Sequence, residues 1–162
     1  MKNWMLIAGA GLMLGLLLSC NKEEPDTEKP VIHNDVAGTF PKNCDTLYFG
    51  EPFTFIARFS DNTGLGSYSL EIHHNFDHHA HSTEIGTCPL DPVKPATHPF
   101  YFLQDYAITG APGAFDIAKE LMLAASEGGE LYEEGDYHFF IRLTDQHGWA
   151  SQQGLNIKIL HR

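Results

Sequence analysis

From Gly135 to Leu143 large apolar side chains recur at every second position: Tyr137, Phe139, Ile141 and Leu143. Period two is the mark of a β-strand with one face in a core, since a helix would scatter those side chains around its axis. The same period runs through Pro52–Phe59, where Phe53, Phe55, Ala57 and Phe59 share a face, and through Tyr68–His73, where Tyr68, Leu70 and Ile72 do. Leu155–Leu160 reads as a final strand, Val31-Ile32 as a short first edge strand, and Phe100–Leu103 as strand-like. Ser60–Gly64 and Asp145–Gly148 carry turn residues. Phe115–Ala125 holds good helix formers, yet Phe115, Ile117, Leu121 and Leu123 fit an alternation interrupted by Lys119, and every neighbour is a strand, so we read a strand there. The fold class is all-β. About seven short strands divided by turns predict a β-sandwich.

The N-terminus constrains the setting. An apolar run from Leu6 to Leu18 follows Lys2. It is shorter than the roughly 20 residues of a membrane span and has the layout of a secretory signal. It ends Leu17-Leu18-Ser19-Cys20, which resembles a bacterial lipobox. The expectation is a leader over residues 1–19, a lipidated Cys20 with a polar, Pro-punctuated tether over 20–30, and one domain over 31–162. Asn21–Glu24 resembles an export signal that sends some Gram-negative lipoproteins to the outer face of the outer membrane; a solvated acidic tether is the other reading. The chain is therefore expected at the outer membrane, lipid-anchored, facing the periplasm or the cell surface. Export makes a Cys44–Cys88 disulfide the expected state of the remaining thiols. The alternative is two free thiols, with Cys88 near enough to the histidines to ligate. A net charge of −11 argues against nucleic acid and anionic lipid surfaces and suits cations.

Half of the ten histidines lie in Glu71-Ile72-His73-His74-Asn75-Phe76-Asp77-His78-His79-Ala80-His81. Imidazole is the commonest protein ligand for transition metals. The stretch Gly64–Ile72 and the stretch Glu134–Gly148 resemble strands C and F of immunoglobulin-like domains in bacterial envelope proteins. Those strands are antiparallel neighbours. Pairing Leu70 with Ile141, Ile72 with Phe139 and His74 with Tyr137 fills the core face. That register sets Glu71 opposite Phe140 and His73 opposite His138 on the outer face, with Cβ atoms about 4.5–5.5 Å apart. A turn at Asn75-Phe76-Asp77 would fold a His-rich insertion back over that face. His79 and His81, two residues apart, would then present both rings to one side. The expected metal ligands are His73, His79, His81 and His138, with His74, Asp77 and His78 in reserve as alternates or as carboxylate support. His74 is expected at the end of the core, and His33, His98, His147 and His161 receive no role. The other reading of the insertion is a solvated surface loop.

Every methionine but Met122 lies in the leader, so Cu(I) is poorly served. Zinc is favoured as the bound metal, with Cu(II) second. The region from Val31 onward resembles a family of uncharacterised bacterial lipoproteins. The matching residues are Cys20, the run His73…Asn75-Phe76-Asp77…His79-Ala80-His81, and Tyr137-His138-Phe139. The resemblance implies one sandwich with a His-rich segment after strand C and a metal site, without an established activity. No His-Glu-x-x-His, Gly-x-Ser-x-Gly or phosphate loop occurs, and no enzyme activity is expected. Asp61, Asn62 and Asp145 should meet at the end of the sandwich away from the histidines. Such oxygens can hold Ca²⁺, but we read them as turn residues. The expected function is capture, buffering or transfer of metal, with an envelope transport protein as a partner. The alternative is a protein- or glycan-binding module whose metal only staples the His segment.

Overall fold

The computed structural model describes residues 25–34 and 36–162. The leader and Cys20 lie outside them. The strands are β1 (Val31–His33), β2 (Thr46–Tyr48), β3 (Pro52–Ser60), β4 (Leu65–His74), β5 (Phe102–Ala107), β6 (Ala114–Met122), β7 (Ser126–Glu127), β8 (Glu130–Leu131), β9 (Gly135–Asp145) and β10 (Ala150–Leu160). They build a β-sandwich: one sheet runs β1-β3-β6, the other β2-β10-β9-β4-β5, and β7-β8 is a small hairpin. All ladders of the two main sheets are antiparallel except β2 with β10, which is parallel. Among the described residues there is no helix, hence none long and apolar enough to cross a membrane.

The alternation dictates the core. Phe55, Ala57 and Phe59 of β3 face Leu70 and Ile72 of β4 and Tyr137, Phe139, Ile141 and Leu143 of β9, all buried in one cluster. Each full burial of such a side chain contributes about 1.5–3 kcal/mol. Tyr137 is wholly buried, and its hydroxyl donates to the Glu133 carbonyl and accepts from Phe100 N–H, so its polar tip is satisfied.

Several boundaries differ from the sequence reading. The ambiguous stretch is strand β6, paired with β3 from Pro52↔Met122 to Ser60↔Ala114. Its ladder, not its helix propensity, decides the conformation, and Lys119 lies over the Tyr106 ring at 4.7 Å. The last strand starts at Ala150, because a polar start (Ser151, Gln152, Gln153) still pairs with β9. The strand expected at Phe100–Leu103 is instead Phe102–Ala107, since Phe100 turns into the core. The short β2, β7 and β8 have too few residues to show a period. Residues 25–30, read as tether, are docked on the domain: the Trp149 indole donates to the Asp26 carbonyl (2.9 Å) and the Ser151 hydroxyl to that of Pro30.

Candidate metal centre

β4 and β9 pair in the register read from their apolar faces, with His73 opposite His138 and His74 opposite Tyr137. His73 and His138 therefore stand on the outer face, while their neighbours Ile72 and Phe139 point into the core. His138 is nevertheless 0 % exposed, because the chain after β4 folds back over it. Asn75 N–H donates to the Asp136 carbonyl at 2.8 Å, and Phe76 is buried against Tyr137, with ring centroids 5.3 Å apart. The returning chain then docks beside β10. Glu84 bridges Gly154, Gly154 N–H donates to the Thr83 carbonyl (2.9 Å), and Ile85 N–H donates back to the Gly154 carbonyl (3.1 Å). A side chain at 154 would strike the neighbouring Phe140 ring, since a Cβ there would lie 2.5 Å from it. The Phe140 ring in turn packs on His73 and His81, at 5.5 and 4.8 Å between centroids. The disulfide Cys44–Cys88 ties down the far end of the segment, with Cα atoms 5.4 Å apart.

The result is a cluster of His73, His79, His81 and His138, each offering a ring nitrogen, all within 4.8 Å of one another. Hydrogen bonds set which nitrogen is free. His73 Nδ1 lies 3.0 Å from Glu71 Oε1, and His79 Nδ1 lies 2.6 Å from Asp77 Oδ1. A carboxylate only accepts, so both Nδ1 atoms carry a proton, which leaves Nε2 as the ligating nitrogen of each ring. His138 Nε2 faces the His79 carbonyl at 3.1 Å. A carbonyl also only accepts, so His138 keeps its lone pair on Nδ1. That nitrogen is buried with no hydrogen-bond partner among the described residues; Glu84 Oε1 is 3.6 Å away, beyond hydrogen-bond range.

The two Nε2 atoms of His73 and His79 are 3.4 Å apart, as are those of His73 and His81. With both rings neutral, as metal ligation requires, the His73–His79 contact is two lone pairs face to face. A tetrahedral zinc ion with bonds of about 2.0–2.1 Å sets its ligand nitrogens about 3.3–3.4 Å apart. Two of the six imidazole pairs thus stand at the nitrogen spacing of a tetrahedral zinc site and the rest lie within 4.8 Å, and Glu71 and Asp77 occupy positions that would orient ligating histidines.

Over residues 18–160 the chain matches the family model described as Domain of unknown function (DUF4625). The chain belongs to that family. No curated protein matches it. Two solved structures are similar: a mutant of the SrpA adhesin from Streptococcus sanguinis (17% identity, TM-score 0.37) and Spo0M, a sporulation control protein from Bacillus subtilis (11% identity, TM-score 0.40). The alignments take in 85% and 83% of this chain. The chain spans only 57% and 49% of those structures, and at these values neither bears on the site.

The charge state of this DUF4625 site follows from its burial. Burial lowers the His138 pKa to about 4, against the pull of Glu84, and the neighbouring His73 and His79 lower it further. Burial also lowers His73, opposed by Glu71. Both rings are neutral at pH 7, which is the ligating form. Burial works to raise Glu84, but hydrogen bonds from the Asn156 amide and the His81 N–H outweigh it and hold the carboxyl below its usual range. The bond from His79 holds Asp77 low.

The reserve residues separate. Asp77 supports His79. His78 turns away at φ 59°, and its Nε2 donates to the Asp91 carbonyl (2.8 Å). His74 closes the core end, its ring 5.1 Å from Phe76. The unassigned histidines are engaged elsewhere. His33 bonds Ser60, His98 stacks on Tyr132, and His161 packs on Phe49 and bonds the Tyr132 carbonyl. Sequence reasoning missed Glu71, Glu84, Phe140 and Gly154. Glu71 carried a signal, since it precedes His73 by two on the same strand face. Glu84 and Gly154 sit where a loop meets β10, and no period announces that.

Proposed function

We propose that this domain binds one zinc ion through His73, His79, His81 and His138, and captures, buffers or hands on that metal at the outer membrane. The observation that carries the reading is the convergence of four imidazoles, with the Nε2 atoms of His73 and His79 3.4 Å apart while Glu71 and Asp77 hold their Nδ1 atoms. Neutral rings at that distance repel through their lone pairs without a cation between them; with one, their spacing is that of tetrahedral zinc. Cu(II) is the second candidate on the same imidazole set. The lipobox-like Leu17–Cys20 supports a lipid anchor, and an envelope transport protein is the partner class that a handing-on role would need. We assign no catalysis: four protein ligands would leave no open position for a substrate.

A second reading keeps the metal but makes it a staple for the insertion of a binding module. Partial exposure favours exchange instead, because His73, His79 and His81 are each part-exposed while only His138 is sealed. The test is zinc titration and metal analysis of the chain from Asn21, beside a His79→Ala/His81→Ala variant. We expect one equivalent bound by the wild type and none by the variant. No binding above background in the wild type would end the metal reading. Chelation that unfolds the domain would favour the staple; chelation that leaves it folded would favour exchange.

A further inference from the structure

At the other ends of β4 and β9 lies a second cluster, built from Asp26, Asp61, Asp145 and His147. The β3–β4 turn supplies Asp61. Its Oδ2 accepts from Thr63 N–H (2.7 Å), Thr63 Oγ1 (2.9 Å) and Gly64 N–H (2.8 Å). Asp145, the last residue of β9, opens the β9–β10 turn, and its Oδ1 accepts from the N–H groups of His147 (2.7 Å) and Trp149 (2.9 Å). Asp26 arrives from the N-terminal segment with its side chain 1 % exposed. Its Oδ1 accepts from Glu28 N–H and the Asn62 amide, and its Oδ2 lies 2.9 Å from Thr63 Oγ1. Asp26, Asp145 and His147 bring ligand atoms within 4.8 Å of one another.

The donors do not balance the acceptors. Asp26 Oδ2 and Asp61 Oδ2 both sit 2.9 Å from the same Thr63 hydroxyl, which has one proton to give. Asp145 is 4 % exposed, and its Oδ2 is buried with no hydrogen-bond partner among the described residues. Asp61 Oδ1 is in the same condition. Among the described residues no Lys or Arg pairs with any of these three carboxylates. The half-exposed His147, 3.5 Å from Asp26 Oδ2, is the sole basic partner in reach. Buried carboxylate oxygens without donors are costly unless they hold a cation.

We propose that Asp26 and Asp145 bind a calcium ion that fastens the N-terminal segment to the sandwich, with Asp61 holding Thr63 beside Asp26. The chemistry selects a hard cation: the unsatisfied buried atom of the converging group is the carboxylate oxygen Asp145 Oδ2, and the one imidazole of the group, His147, is half-exposed. Asp26 lies in the N-terminal segment and Asp145 ends β9, so the ion would join that segment to the sandwich. The site is separate from the histidines and stands whether or not they bind zinc.

Trp149 reports on it. Its indole bonds the Asp26 carbonyl, and it is the sole tryptophan after Trp4. The experiment is calcium titration of the chelator-treated chain from Asn21, which contains every strand of the fold, followed by Trp149 fluorescence and calorimetry. Terbium luminescence sensitised through Trp149 gives a third readout. We expect one saturable site, with dissociation constant in the roughly 10⁻⁴–10⁻³ M range of extracellular modules, retained in His79→Ala/His81→Ala. Asp145→Asn should abolish it. Asp26→Asn should weaken it about tenfold or more, with an unchanged melting temperature in chelator, which keeps the test valid if Asp145→Asn fails to fold. No saturable response up to about ten times that range, or binding that Asp26→Asn leaves unchanged, would overturn the proposal.

Discussion

His138→Phe is expected to help the metal-free domain and to abolish what metal does for it. The imidazole is fully buried, its Nδ1 has no hydrogen-bond partner among the described residues, and its Nε2 has a single bond to the His79 carbonyl. An orphaned buried polar atom costs about 1–3 kcal/mol, and a neutral hydrogen bond contributes about 1 kcal/mol. An apolar ring of similar size removes both, so at neutral pH the metal-free variant should equal or exceed the wild type by up to about 2 kcal/mol. Acid separates them further. The folded His138 pKa is lowered to about 4, whereas the unfolded value is near 6.5. As pH falls through that window the unfolded chain takes up the proton first, so wild-type stability is full above about 6.5 and is lost on the way to about 4. The loss through this residue is roughly 3 kcal/mol, and the variant should lack it. Zinc reverses the ranking: at a free concentration a thousandfold above Kd it should stabilise the wild type by about 4 kcal/mol and the variant hardly at all. Urea unfolding followed by circular dichroism, at neutral pH and about pH 4.5, with zinc or chelator, measures every term. A metal-free variant more than about 2 kcal/mol below wild type, with the same acid loss, would refute this account of His138.

The supporting carboxylates should act on affinity alone. Glu71→Gln and Asp77→Asn leave all four imidazoles in place but remove the charge that orients His73 and His79; each should weaken zinc binding about 10–100-fold in competition titrations with a chromophoric chelator, with stability in chelator little changed. Removing the disulfide as Cys44→Ala/Cys88→Ala opens a loop whose ends are 44 residues apart. Chain entropy alone puts the cost at about 4 kcal/mol, read by urea unfolding, and zinc affinity should fall with it because Cys88 anchors the segment that carries His79 and His81.

The sequence was most legible where one physical rule acted alone. Alternation along β9 told which residues face inward, and matching those residues to β4 gave the register that sets His73 against His138. The convergence of His79 and His81 required only a turn and a spacing of two. Conflict between rules hid the rest. Helix propensity and alternation disagreed over Phe115–Ala125, and the ladder with β3 decided for a strand. Asp61 and Asp145 were read as turn residues, and they are, but each spends one oxygen on the turn and leaves the other unpaired. Per-residue reading cannot divide a carboxylate in two. Glu84 belongs to the histidine cluster through contacts with Asn156 and His81 that depend on where a loop lands.

On β9, even-numbered His138 and Phe140 belong to the histidine cluster, while odd-numbered Tyr137, Phe139, Ile141 and Leu143 make the core. The pleat thus works as a partition between two sets of selective pressures on neighbouring codons. A lineage could exchange or shed its clustered imidazoles and still inherit an intact scaffold. Conversely, a repacked interior need not disturb the ligands a single residue away.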